Sequence, residues 1–343
     1  MLNLTKALYH LSAKARTNWY GGHYALAQFL APPSNAPLPQ PGSMPGWEVI
    51  LADLNALNER DWTQIERGEY RPPADMVPNP LALARQSLRY LRDLPAINQR
   101  RRLGLAKELK PDVAGQGYPD YFLQNFHFQT DGWLSEDSAE IYDFQVEVLF
   151  VGGADVMRRQ TLPAIRRALS GQSGMGMRLC DIACGTGRYL REVQRNWPGL
   201  ALTGIDLSAD YITHANRQQG RQGKTQFLTG MAEDLPLEDE SQDLITCIYL
   251  FHELPADIRR LAAAEMIRVL KPGGQLVFMD SIQIGDHQPY DALLDRFPIA
   301  FHEPYYADYI RDDIDGLFKK AGFEKLTRER AFFSTGWVFR KPC

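Results

Sequence analysis

The stretch Asp181-Ile-Ala-Cys-Gly-Thr-Gly-Arg-Tyr-Leu190 decides how this 343-residue chain reads. It joins a short apolar run to a glycine-bearing turn and then to a segment with helical spacing, which predicts strand, loop and helix in that order. Gly185 and Gly187 carry no side chain, so the loop Ala183-Cys-Gly-Thr-Gly187 can bring bare backbone close to a nucleoside-type molecule at a helix N-terminus. A lone G-x-G also serves as an ordinary tight turn, so the surroundings must decide.

Asp206 follows Gly187 by 19 residues and ends the next apolar run, where a carboxylate can accept hydrogen bonds from both hydroxyls of a ribose. A nicotinamide dehydrogenase would use the same geometry, but its fingerprint asks for a third glycine where Tyr189 or Leu190 stands. Beyond Arg178, apolar runs alternate with helical stretches, the pattern of a parallel sheet with helices on both faces. Strands are expected at 178–183, 200–206, 225–228, 243–250 and 275–280, with a closing pair at 323–326 and 332–340. Helices are expected at 188–196, 209–218 and 256–270, the last stopped by Lys271-Pro-Gly-Gly274.

Five segments then stand in order: Asp181-Ile-Ala-Cys-Gly-Thr-Gly187, Gly204-Ile-Asp-Leu-Ser208, Gly230-Met-Ala-Glu-Asp-Leu-Pro236, Ser241-Gln-Asp-Leu-Ile245 and Arg268-Val-Leu-Lys-Pro-Gly-Gly274. Together they resemble the ordered motifs of class I S-adenosylmethionine-dependent methyltransferases, type 11, in the subgroup that includes the ubiquinone and menaquinone biosynthesis methyltransferases. The resemblance runs over 175–340, about half of the chain. It implies an α/β, Rossmann-like sheet of parallel strands with an antiparallel C-terminal pair, preceded here by an all-helical N-terminal region. It also implies S-adenosyl-L-methionine as methyl donor, leaving as S-adenosyl-L-homocysteine. By the same resemblance Asp181, Ala183, Cys184, Gly185 and Gly187 face the methionine part, and Asp206 with Leu207 holds the ribose. Met231, Ala232 and Glu233 flank the adenine, and Tyr249 lies near the methionine side. Two positions depart from the family pattern. Ala183 replaces the first glycine of the loop, a change expected to cost little, and Met231 replaces an acid, which shifts the adenine contact to Glu233 or Asp234.

A donor of this kind already carries an activated methyl group, so the protein has mainly to align an acceptor atom with it in a dry pocket. A general base is required only where the acceptor must lose a proton. The candidates are His252 and Glu253 in Tyr249-Leu-Phe-His-Glu-Leu254, His127, Tyr142, and His302 in Phe301-His-Glu-Pro-Tyr-Tyr306. Each also has an ordinary structural reading as loop support or core packing. Neither His-Glu pair is followed by the second histidine of a zinc-protease motif, and the four cysteines form no CxxC pair, so no metal site is expected. The cysteines read as reduced core or site-lining thiols.

The flanking regions divide the chain further. Residues 1–116 read as a helical region with a proline-rich linker at 31–46, 117–174 as aromatic-rich connecting helices that cap the acceptor or form a packing seam, and 175–343 as the methyltransferase domain. Leu4, Leu8 and Leu11 suggest the packing stripe of a first helix, and Leu81, Ala84, Leu88 and Leu91 that of a helix over 81–94. An acid-free start before Glu48 is also compatible with a targeting segment. The aromatic segment 281–318 reads as a lid over the acceptor, or else as a helix packed on the sheet.

A net charge of -4 offers no global attraction to nucleic acid, and no apolar run is long enough to span a membrane. The leading expectation is therefore a cytoplasmic enzyme methylating a small aromatic or apolar acceptor at oxygen, nitrogen or carbon, with no nucleic-acid partner and homodimerisation left open. Two alternatives remain. The basic segment 81–110, including Arg100, Arg101 and Arg102, could dock RNA or protein for methylation, and a chain with a blocked acceptor pocket could be a non-catalytic cofactor-binding scaffold.

Overall fold

The computed structural model describes residues 2–30, 44–107, 117–219 and 224–343, so most of the proline-rich 31–46 linker and the end of the basic 81–110 segment lie outside the described residues. Twelve α-helices are described: α1 (Leu2–Leu30), α2 (Trp47–Glu66), α3 (Pro80–Leu103), α4 (Glu136–Leu149), α5 (Ala154–Arg159), α6 (Leu162–Ala168), α7 (Arg188–Asn196), α8 (Ala209–Gln219), α9 (Ala256–Val269), α10 (Asp291–Ala300), α11 (Tyr306–Tyr309) and α12 (Ile314–Lys320). The strands are β1 (Arg178–Ile182), β2 (Ala201–Asp206), β3 (Gln226–Thr229), β4 (Gln242–Ile248), β5 (Leu270–Ser281), β6 (Glu324–Ala331) and β7 (Ser334–Arg340). They fall into two compact units, Met1–Arg159 with Pro289–Glu303, and Gln160–Gln288 with Pro304–Cys343.

The first unit is helical. Its α3 is capped by Asn79, whose side chain accepts from the Leu81 and Ala82 amides, and it ends at Gly104 in the left-handed conformation. It runs through Pro95, one turn or more beyond the expected end. The expected apolar stripes are not the buried ones. Leu4 and Leu11 are 77% and 67% exposed and Leu81 is 79% exposed, whereas Tyr9, Tyr20, Tyr90, Leu94 and Ile97 are buried. The buried faces carry aromatic rings with polar tips, which a count of leucines overlooks. Tyr20, Tyr90, Leu94, Phe144 and Val148 form one core cluster. Elsewhere in this unit, fully buried Asp61 accepts from Tyr9 Oη at 2.5 Å, Tyr70 Oη at 2.6 Å and Arg159 Nη2 at 2.7 Å.

The second unit is a seven-stranded sheet in the order β3-β2-β1-β4-β5-β7-β6. β1 to β5 are mutually parallel, and β7 runs antiparallel to both β5 and β6. The near-continuous apolar runs of β1 and β4 are buried on both faces, as a helix-covered parallel sheet requires. β5 starts at Leu270, before the expected 275–280: Leu270 pairs with Gln242 and Gln275 with Leu244, and Lys271-Pro-Gly-Gly274 bulges between them at a register shift. β6 likewise continues to Ala331, and the turn falls at Phe332, which takes φ +59°.

Candidate functional site

Strand order reverses between β1 and β4, and at such a point the C-terminal ends of adjacent parallel strands leave a crevice. The chain leaves β1 through Ala183 (φ +58°), Gly185 (φ +54°) and Gly187 (φ +69°), three left-handed residues that turn it into α7. Gly187 is fixed by packing as well, since a Cβ there would stand 2.7 Å from Cζ of Phe227 on β3. Gly185 is the opposite case: nothing lies within 4 Å of where its Cβ would be, so its backbone borders open space. Ala183 holds a conformation that costs an L-residue roughly 1–2 kcal/mol, which corrects the expectation that this departure is nearly free.

Asp206 ends β2. Its Oδ2 accepts the Gly185 amide at 2.8 Å and its Oδ1 the Ser208 amide at 2.9 Å, so one carboxylate locks the glycine loop to the next strand. An ionised carboxylate has about four acceptor sites, and these two bonds leave one on each oxygen. Burial pushes its carboxyl up to about 6, against the pull of the Ser208 and Gly185 amides. Asp181 is buried on β1 and accepts from Thr246 Oγ1 of β4 at 2.6 Å, bridging the two strands at the reversal. Cys184 is buried, its amide donates to the Ile205 carbonyl at 3.0 Å, and burial raises its thiol, which keeps it neutral. Cys180 and Cys247 are also buried and free.

After β3, Met231 bridges to Asp234 in a tight turn that places Ala232 in the interior. The next amide, Leu235, donates to Glu265 Oε2 at 2.9 Å, which pins this turn to α9. After β4, Tyr249 takes φ +62°, its amide donates to the Met279 carbonyl at 2.9 Å, and its hydroxyl pairs with Ser334 Oγ at 2.7 Å. The residues of the first three motifs and Tyr249 thus stand at the C-terminal ends of β1 to β4 and in the turns that follow, whereas Ser241–Ile245 and Arg268–Gly274 open β4 and β5 at the other edge.

At the same edge, the Nδ1 of His252 lies 2.5 Å from Oδ1 of Asp280, at the end of β5. Asp280 is fully buried and also accepts the Phe251 and Ser281 amides at 2.7 Å. A carboxylate so held favours a proton on Nδ1, and Nε2 stands 3.8 Å from Oε1 of Glu253. The rings of Tyr306 and Tyr309 meet the imidazole edge-on at 5.9 and 6.2 Å. Sequence reasoning named His252 but missed Asp280; the available signal was an acid at the last inward position of an otherwise apolar strand.

The other base candidates belong to the helical unit. His127 Nε2 stands 2.5 Å from Oε1 of buried Glu303. His302 Nε2 pairs with Gln124 Oε1 at 2.9 Å, its carbonyl takes the His127 amide, and burial lowers its imidazole below the ordinary value. Tyr142 packs edge-on against Trp133, ring centroids 5.2 Å apart. Of the three clustered arginines, Arg100 donates to Thr130 and Arg101 lies 5.7 Å over the Phe301 ring, while Arg102 is exposed. Among the described residues no helix is long and apolar enough to cross a membrane.

Residues 179–274 match the family model of a methyltransferase domain. The chain is 30% identical over 210 residues to the O-methyltransferase cnsE of Penicillium expansum, covering 55% of this chain and 73% of that protein. It is 31% identical over 143 residues to the ubiquinone/menaquinone biosynthesis C-methyltransferase UbiE of Geotalea daltonii, covering 40% of this chain but only 57% of that one. A solved S-adenosylmethionine-dependent methyltransferase from Aquifex aeolicus aligns at 19% identity with a TM-score of 0.41, covering 53% of this chain and 89% of its own.

Proposed function

Because the chain belongs to the class I S-adenosylmethionine-dependent methyltransferases, we propose that it methylates a small aromatic or otherwise apolar acceptor at oxygen, nitrogen or carbon. The observation that carries this reading is the joint of Asp206 with Gly185: a carboxylate with one acceptor site left on each oxygen, beside a glycine whose Cβ direction is open. That pairing suits the two vicinal hydroxyls of a ribose and the close passage of the attached chain. Asp206 and Leu207 would hold the ribose; Asp181, Ala183, Cys184, Gly185, Gly187 and Tyr249 would border the methionine part; Met231, Ala232 and Glu233 would border the adenine. The bound donor supplies a methyl group already activated on a sulfonium sulfur.

The chain's own contribution is then positional. The loop held by Asp206 fixes the donor's orientation, and the buried ends of β1 and β4 keep water out. Where the acceptor carries a proton, His252 would take it at Nε2 while Asp280 stabilises the imidazolium that forms. An aromatic acceptor is supported by the likeness to a ubiquinone/menaquinone biosynthesis C-methyltransferase and by the density of aromatic side chains outside the cofactor motifs.

A screen of single-ring phenols, anilines and enolisable ketones with methyl-labelled S-adenosylmethionine, read by mass spectrometry, tests the proposal. A product carrying one extra labelled methyl group is expected, and for a protic acceptor His252→Gln lowers its rate by roughly 10²–10⁴-fold. Firm donor binding with no methylated product across the panel would sink it.

A further inference from the structure

The helical unit contains a small cleft of its own, with a cavity volume of about 50 Å³. Its walls are aromatic and aliphatic: Tyr24, Tyr90, Leu94 and Phe301 line it. Two polar groups interrupt them. Arg101, 5.7 Å above the Phe301 ring, brings guanidinium donors to the lining, and burial lowers its pKa from the ordinary value. Gln145, from α4, lines the cleft as well, and its Oε1 is buried without a hydrogen-bond partner. A buried amide oxygen in that state carries a desolvation penalty that a ligand donor would recover.

A third observation concerns backbone strain at the same place. His127 also borders the cleft, and it and Phe128 take φ +56° and +55° in succession. Left-handed backbone is costly in bulky residues and persists where surrounding structure enforces it, as at ligand sites. Here the enforcement is visible in the contact of His127 Nε2 with the carboxyl of buried Glu303 and in the bond from the His127 amide to the His302 carbonyl.

We propose that this cleft is a binding site for a phenol: one aromatic ring bearing a hydroxyl. A single hydroxyl satisfies both polar groups, donating its proton to Gln145 Oε1 and accepting from Arg101, while the ring fills the space between Tyr24, Tyr90, Leu94 and Phe301. An aliphatic alcohol would lack the ring contacts, and an aryl ether would lack the donor. The site stands on the helical unit alone and does not depend on the assignment of the acceptor.

Fluorine NMR titrations of the full-length protein with 4-fluorophenol and 4-fluoroanisole test it. The phenol should bind saturably and about tenfold or more tightly than the ether, because the ether leaves the Gln145 oxygen unsatisfied. Gln145→Leu, nearly equal in volume, should bring the two probes to within about twofold of each other, and Arg101→Met should weaken the phenol while leaving S-adenosylhomocysteine affinity intact as a check on folding. Equal affinity for the two probes in the native protein, or an unchanged phenol preference in the folded Gln145→Leu variant, overturns the proposal. So does the absence of saturable phenol binding.

Discussion

Asp206 meets two opposing demands. It receives two backbone amides, yet burial still raises its carboxyl from 3.8 to about 6. The raised value means that ionisation opposes folding: this contribution to stability is full below pH 4 and is lost as the pH rises through about 6. A ligand whose hydroxyls donate to the ionised carboxylate reverses the preference, so binding must expel a proton below pH 6. S-adenosylhomocysteine should therefore bind about tenfold more weakly at pH 5 than at pH 7, a difference removed in Asp206→Asn; a flat calorimetric profile over that range speaks against the assignment. Ala183 gives a second residue-scale prediction. With φ at +58°, Ala183→Gly should relieve strain and raise stability by about 0.5–1 kcal/mol, the greater freedom of glycine in the unfolded chain offsetting part of the gain, and a melting temperature that falls would contradict it. The glycines and Asp206 were legible in the sequence because their roles follow from backbone freedom and spacing. Asp280 was not, because its bond to His252 joins two strand ends 28 residues apart, and spacing alone does not pair them.

The elements of the sheet follow from local rules, since buried parallel strands read as apolar runs and each helix stop has its own chemistry. Their ends moved where pairing outweighed local preference: β5 begins at Leu270 because that residue pairs with Gln242 of β4, with Lys271 to Gly274 bulging out behind it, and β6 lengthened because β7 offers a partner edge. The helices of the other unit misled for a different reason. α1 buries Tyr9 and Tyr20 and leaves Leu4 and Leu11 outside, and α3 buries Tyr90 with Leu94 while Leu81 and Leu88 stay exposed; Tyr9 and Arg16 face partners that satisfy their polar tips, and no periodicity of apolar residues records such partners. The Asp61 cluster shows the energetic weight of those tips, joining α1, α2 and α5 through Tyr9 and Arg159. Asp61→Ala leaves the Arg159 guanidinium buried without its carboxylate and should cost about 3–5 kcal/mol, whereas Tyr9→Phe should cost about 1. Denaturant unfolding followed by circular dichroism separates the two, and similar losses for both would show that the charge pair is not what holds these helices.

At the scale of the whole molecule, one unit carries every motif by which the family is recognised and the other carries none of them. The sheet unit commits the protein to a donor, for which five ordered segments sufficed in the sequence. The helical unit, with its own cleft and its own buried charge cluster, has no comparable signature, since its polar groups are drawn from α1 to α5 and meet only on folding. Activity on a particular acceptor tests both units at once, so the donor site is best isolated. Calorimetric titration of S-adenosylmethionine into the native protein and into Asp206→Ala does this directly. Saturable one-to-one binding is expected for the native chain, weakened roughly 100-fold or more in a variant that keeps its far-ultraviolet dichroism, since two hydrogen bonds to a charged group are lost. Native protein that does not bind, or a folded Asp206→Ala protein that binds as tightly, would contradict it.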